Sequence, residues 1–187
     1  EPRYDGPDHD RSGREVGEDR TGGDGGIGDV AEHDDEALGL DAGERVVVER
    51  GSRHGTQIRL VSSLTRSGSS IGQSDSVVNA MRLRMEEAGN RLLGVPIVYD
   101  DLDGGSEETG SWDAEREQAN ACYAVADPDV LAYVATLDAD AAPYSIPITN
   151  QAGLLQISPC NTYPGLTRPF DPGEPDRYYP TGKRNYL

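Results

Sequence analysis

Val130-Leu131-Ala132-Tyr133-Val134-Ala135 is a continuous apolar run, the mark of a strand buried on both faces, as in a parallel sheet covered by helices. Asp127-Pro128 lies just before it and stops whatever helix comes first. Trp112 to Ala126 reads as that helix, capped by Asp113, with Arg116 and Glu117 in its first turns. After the strand, Asp140 to Gln151 reads as another helix, with Pro143 near its start and Gly153 at its end. Leu154-Leu155-Gln156-Ile157 is the next strand.

Toward the amino terminus the same alternation continues. Ile58-Arg59-Leu60-Val61 leads into Ser62-Ser63-Leu64, a strand ending in small polar residues, followed by the loop Gly68-Ser69-Ser70-Ile71-Gly72. Apolar positions from Val77 to Met85 describe a helix over Ser74 to Ala88, closed by Gly89. Val95-Pro96-Ile97-Val98-Tyr99 is a strand whose proline suits a sheet edge, and a polar loop runs from Asp100 to Ser111. Val46-Val47-Val48 is either a further edge strand or the end of the leader. Beyond Ser158 the chain reads as long loop, rich in Pro, Gly and Tyr. Four strands alternating with three helices predict an α/β domain with a doubly wound parallel sheet. Such sheets bind ligands beyond the carboxyl ends of their strands, which singles out the loops Ser62–Gly72, Ala135–Ala142 and Ser158–Thr162.

Composition narrows the function. The chain has 187 residues, 34 acids against 17 bases and a net charge of −17. That excess argues against nucleic acid or an anionic membrane surface as the main partner. The longest apolar runs fall far short of the about 20 residues that span a bilayer. His9, His33 and His54 are the only histidines, and Lys183 is the only lysine. From residue 57 onward the chain therefore lacks a Ser-His-Asp or Cys-His device and a histidine zinc site, so no enzyme, metal or cofactor is expected. Residues 1–44 are acidic and Gly-rich and read as a disordered linker or tether, with residues 45–187 as the folded domain. The chain starts at Glu1 and stops at Leu187 as an apolar stretch begins, as expected of a fragment of something longer.

Several local patterns have a plain reading beside a functional one. Ser67-Gly68-Ser69-Ser70 at a helix entry could offer N–H groups and hydroxyls to an anion, or be an ordinary strand-to-helix turn. It has neither dinucleotide nor P-loop spacing. Asp100-Asp101 with Asp103, Glu107 and Glu108 fails the calcium-loop spacing, since Trp112 stands where the closing Glu belongs. It reads as a solvated acidic loop. The folded strands carry no lysine of the kind a phospho-acceptor receiver domain needs. Ser158-Pro159-Cys160-Asn161-Thr162 is either a turn or a seat for a carboxylate made of N–H groups, the Asn161 amide and the Thr162 hydroxyl. Cys122 reads as a packed helix residue and Cys160 as a free thiol, a poor nucleophile with no base nearby.

Taken in order, these segments resemble the type I periplasmic binding proteins, specifically the substrate-binding components of branched-chain amino-acid (Leu/Ile/Val) ABC transporters. The resemblance rests on Val61-Ser62-Ser63-Leu64 with its Ser/Gly loop, on Val78-Asn79-Ala80-Met81-Arg82-Leu83, and on Tyr99-Asp100-Asp101. It continues through Trp112-Asp113-Ala114-Glu115 and Asp127-Pro128-Asp129-Val130. The most specific piece is Ile146-Pro147-Ile148-Thr149-Asn150-Gln151-Ala152-Gly153, running on through Ile157-Ser158-Pro159 and Asn161-Thr162-Tyr163-Pro164-Gly165-Leu166-Thr167-Arg168.

The resemblance implies two α/β lobes with a ligand clamped between them, and no chemistry. This chain would be an amino-terminal lobe, with the second lobe absent. Its ligand contacts would fall at Ala139 and at Cys160, Asn161 and Thr162, with Ser69 and Ser70 bordering the mouth. Asp138 or Asp140 would accept from the ammonium of a zwitterion. Where relatives often carry Gly, Asn or Ser, this loop reads Leu137-Asp138-Ala139-Asp140. The implied partners are an amino acid or similar small polar solute and the membrane permease of an ABC importer. The implied location is extracytoplasmic, with a signal peptide and often a lipid anchor. A ligand-sensing receptor domain on the same fold is the other reading.

Overall fold

The computed structural model describes residues 55–187. The acidic leader, the Val46-Val47-Val48 run and the three histidines lie outside the described residues. Strand β1 (Ile58–Leu64) leads through a 3-10 turn, Gly68–Ser70, into helix α1 (Ile71–Glu87). The short β2 (Arg91–Leu92) turns into β3 (Val95–Asp103), and β4 (Gly105–Ser106) and β5 (Ser111–Trp112) form a separate small hairpin. Helix α2 (Ala114–Ala126), β6 (Val130–Val134), α3 (Ala142–Gln151) and β7 (Leu155–Ile157) complete the alternation. The main sheet has the order β2-β3-β1-β6-β7, parallel throughout except for β2. This is the expected parallel α/β architecture.

Local chemistry sets the helix ends. Asp113 caps α2 by accepting the Arg116 N–H at 3.0 Å, and Asp127-Pro128 ends it. Gly89 and Gly153 close α1 and α3 in the left-handed region, at φ +66° and +64°. Helix α1 starts at Ile71 rather than Ser74, because the 3-10 turn runs straight into it, and α3 starts at Ala142 rather than Asp140.

α1 covers one face of the sheet. Its Ser74 hydroxyl donates to the Thr65 carbonyl, Arg82 pairs with Asp101, and Val78 and Met85 are buried. α2 and α3 pack together on the other face over Val61, Val130, Tyr133, Ala135 and Leu154.

Four expectations need correction. The polar stretch after Tyr99 is not all loop: β3 runs on to Asp103, since Asp100 and Asp101 are held by Arg59 and by Arg66 and Arg82. Pro96 is not on the edge strand; the edge is β2, which pairs it with Arg91. Cys122 is exposed rather than packed, while Cys160 is free and exposed. The segment after Ser158 is a packed substructure, not loose loop. Leu166, Tyr178, Tyr179 and Tyr186 form a second buried cluster with Ala142 and Ile146 of α3. Its polar centre is Glu174, which accepts from the Tyr163 and Tyr178 hydroxyls and from the Asp171 N–H, and pairs with Arg177 at 3.0 Å. Residues 185–187 pair with the free edge of β7 through Gln156 and Ser158.

Candidate functional site

The strand order reverses between β1 and β6: the chain leaves β1 toward β3 and leaves β6 toward β7. The crevice outside the carboxyl ends of these two strands is where such sheets seat ligands. Helices α1 and α3 both begin there, and neither has a side-chain cap: Ser70 and Ala141 occupy their N-cap positions without capping bonds. Helix α2 follows β3, away from the reversal, and is capped by Asp113. The two helix starts without side-chain caps, with their partial positive charge, thus flank the crevice.

The loops after β6 and β7 are stitched together. Ser158 donates through its hydroxyl to the Thr136 carbonyl at 2.8 Å and accepts the N–H groups of Cys160 and Asn161 at 3.2 and 2.9 Å. Asn161 Nδ2 donates to Thr136 Oγ1 and to the Tyr186 hydroxyl, at 3.2 and 2.7 Å. The Asn161 Nδ2 group is therefore committed to holding the loops. The Asn161 Oδ1 is buried with no partner. Thr162 is exposed with its hydroxyl free to face a ligand, and it lines a cleft of about 390 Å3 with Ser158, Asn161, Tyr163, Arg168 and Tyr186.

Asp138 follows β6. Burial pushes its carboxyl above the usual carboxylate range, Asp140 adds to this, and the Thr65 hydroxyl opposes it. Asp138 Oδ2 is buried with no hydrogen-bond partner. Thr65 thereby joins the loop after β1 to the loop after β6, a role that its ordinary place between Leu64 and Arg66 did not signal. Ala139 is half-buried against the α3 cluster and presents only backbone. Ser69 is exposed and Ser70 half-buried, and neither side chain bonds to the other two loops. The loop of Asp138 and Ala139 and the loop of Cys160, Asn161 and Thr162 are joined through Thr136. Of these residues only Asn161 and Thr162 line the cleft, and Ser69 and Ser70 are joined to neither loop.

Two features could not be read beforehand. Trp112 and Tyr144 stack at 5.9 Å, joining the hairpin to the first turn of α3. Glu117 turns inward and is 1% exposed. Lys183 lies against a different cleft, of about 440 Å3, at the amino end of β7 and so away from the crevice. Among the described residues no group of three or more His, Cys, Asp or Glu could hold a metal ion. None of their helices is long and apolar enough to cross a membrane.

No family model and no curated protein matches the chain. Solved structures match it in fold. A protein assigned to branched-chain amino acid ABC transport from Rhodospirillum rubrum is 21% identical, with a TM-score of 0.51, over 58% of this chain and 30% of its own. An ABC-transporter solute-binding protein from Rhodopseudomonas palustris, solved with 3,4-dihydroxybenzoic acid, is 15% identical with a TM-score of 0.50, over 56% and 27%. A branched-chain amino acid transporter substrate-binding protein from Streptococcus pneumoniae, solved with isoleucine, is 22% identical with a TM-score of 0.49, over 59% and 31%. The described unit matches part of the type I periplasmic binding protein fold, and the chain spans just under a third of the length of these proteins.

Proposed function

We propose that this chain is one lobe of an extracytoplasmic solute-binding protein that captures an amino acid, or a similarly small polar solute, for the membrane permease of an ABC importer. The observation that carries this reading is the contrast at the helix starts. The helices entering the crevice between β1 and β6 have no side-chain caps, while the helix outside it carries its own carboxylate cap. At α3 the Ala141, Ala142 and Tyr144 N–H groups turn back onto the Asp138, Ala139 and Ala141 carbonyls, and Pro143 has none. What suits a ligand's carboxylate is therefore the partial positive charge of a helix start that carries no carboxylate of its own.

In this reading the Thr162 hydroxyl and the backbone at Ala139 receive the carboxylate, with the Cys160 and Asn161 N–H groups held by Ser158 to fix the loop beside it. The unpartnered Oδ2 of Asp138 receives the ammonium, held by the Thr65 hydroxyl. The site binds rather than reacts. No histidine or lysine stands among these residues to move a proton or form an imine. A second lobe supplies the opposing wall, and hinge closure supplies much of the affinity. The leader 1–44 then serves as the tether.

Thermal unfolding against amino acids, amides, sugars and aromatic acids tests this, because a ligand of the native state raises the melting temperature. The expected result is a shift with one or more amino acids that is reduced at least about tenfold in apparent affinity by Thr162→Ala or Asp138→Asn. A shift with amides or aromatic acids alone would keep the lobe and discard the amino acid.

A further inference from the structure

Glu117 is a carboxyl group in the first turn of α2, buried against Ser63 near the end of β1 and Tyr133 of β6. From β1 the Ser63 hydroxyl donates to its Oε2 at 2.6 Å, and from β6 the Tyr133 hydroxyl donates to its Oε1 at 3.0 Å. From α3 the Ser145 hydroxyl faces it. Gly104, after β3, is bare where a Cβ would press on Oε2. The titratable groups around it are the Tyr133 and Tyr186 phenols, Asp103 beyond Asn120, and Asp113 one turn earlier on α2. Gln156 of β7 is neutral. Glu117 forms no ion pair among the described residues; Arg59 pairs with Asp100 and Asp127, and Arg66 with Asp75 and Asp101.

The hydrogen bonds around Glu117 lead to both crevice loops. On one side Asn120 Nδ2 bonds Ser63 Oγ and the Asp103 carbonyl, each at 2.9 Å, and Asp103 Oδ1 accepts the Arg66 N–H at 2.7 Å in the loop after β1. On the other side Gln156 Nε2 bonds Ser145 Oγ at 2.9 Å and the Ala135 carbonyl at 3.4 Å, where the loop after β6 begins.

We propose that Glu117 is a proton switch for the crevice: with its carboxyl neutral the loops after β1 and β6 are held in place, and its ionisation loosens both. In the neutral form one Glu117 oxygen carries the proton and donates it to the hydroxyl beside it, which turns to accept, while the other oxygen still accepts. Ionised, the buried group has hydroxyl donors but no countercharge, and the fold relieves that cost by admitting water from the carboxyl ends of the strands. Burial raises the carboxyl to about 7 against the donors Ser63, Ser145 and Tyr133, so the switch operates around neutral pH. As regulation of the crevice it rests on the solute-binding reading; as a property of the lobe it does not.

The test is side-chain carboxyl 13C NMR of the protein from pH 4 to 9, with backbone amide exchange at pH 6 and 8, corrected for intrinsic rates. The expected result is a Glu117 midpoint near 7 and protection at Thr65, Arg66, Ala135 and Thr136 falling at least about tenfold from pH 6 to 8. Protection at Tyr178 and Tyr179 stays level, and Glu117→Gln abolishes the pH dependence at the loops. A midpoint in the ordinary carboxylate range overturns the proposal, as does loop protection that changes equally in the variant. The wild-type titration decides alone if the variant does not fold. Neither readout needs a ligand, so a failure of solute binding leaves the result standing, while flat exchange in a protein that binds amino acids overturns only the switch.

Discussion

Two buried glutamates in the described residues are handled in opposite ways. Glu117, against β1 and β6, is 1% exposed and receives only hydroxyl donors, and burial pushes it up to about 7. Glu174, in the tyrosine cluster near the carboxyl terminus, is 6% exposed. Burial pushes it upward too, but the Tyr178 and Tyr163 hydroxyls, the Asp171 N–H and the Arg177 guanidinium together outweigh that and hold it below the usual range. The difference shows that burial alone does not decide ionisation; a backbone donor and a cation do. Glu174 acts as an ionised keystone, whereas Glu117 resists ionisation. The first region is built to stay fixed, and the second to respond.

The largest consequence is that the two regions weaken at opposite ends of the pH scale. Glu117 is raised, so its contribution is complete below the unfolded carboxylate value and is lost as pH rises through about 7. By pH 9 that loss amounts to about 3 kcal/mol. Glu174 is lowered, so its contribution is present above the ordinary carboxylate range and is lost as pH falls through its own lowered value. Urea unfolding of the wild type, Glu117→Gln and Glu174→Gln from pH 3 to 9 checks both signs. The Glu117→Gln difference should swing in the variant's favour from the ordinary carboxylate range up to about pH 7 and level off above it. The Glu174→Gln deficit should shrink in acid.

The next effect in size is Glu174→Ala, which strands the Tyr178 hydroxyl and the Asp171 N–H and should cost about 2–3 kcal/mol near neutral pH. A melting temperature unchanged by this substitution would break the contrast between the two glutamates. The smallest is Asp113→Ala, which removes the α2 cap and should cost about 1 kcal/mol. Since α2 carries Glu117 in its first turn, the same variant should shift the Glu117 titration, whereas the Glu174 cluster should not register it.

Helix α2 and β6 were readable in the sequence because their signals are local. Asp113 announces a cap, Pro128 a stop, and the run from Val130 to Ala135 a covered strand. The crevice was readable for the same reason, since strand–helix alternation fixes where the carboxyl ends lie. Glu117 was not. A glutamate beside Arg116 in a first helical turn reads as solvated, and only the tertiary meeting of Ser63, Tyr133 and Ser145 turns it inward. The tyrosine cluster was hidden because its apolar residues have no helical or strand period; Leu166, Tyr178 and Tyr186 meet only after the chain has wrapped α3. The part of Asn161 that the sequence hides is its structural one: two bonds, to Thr136 and Tyr186, hold its Nδ2 within the fold and leave only Oδ1 without a partner.

If the carboxyl ends of β1, β6 and β7 seat an amino acid, as proposed, its binding must perturb the loops that follow these strands. The most direct measurement is an amide chemical-shift map of the protein titrated with leucine, isoleucine and valine. The account predicts that shifts concentrate at Thr65, Asp138, Ala139, Cys160 and Thr162 and spare the cleft beside Lys183 and Asn150. Shifts centred on Lys183 and Asn150, or none with any amino acid at millimolar concentration, would contradict it.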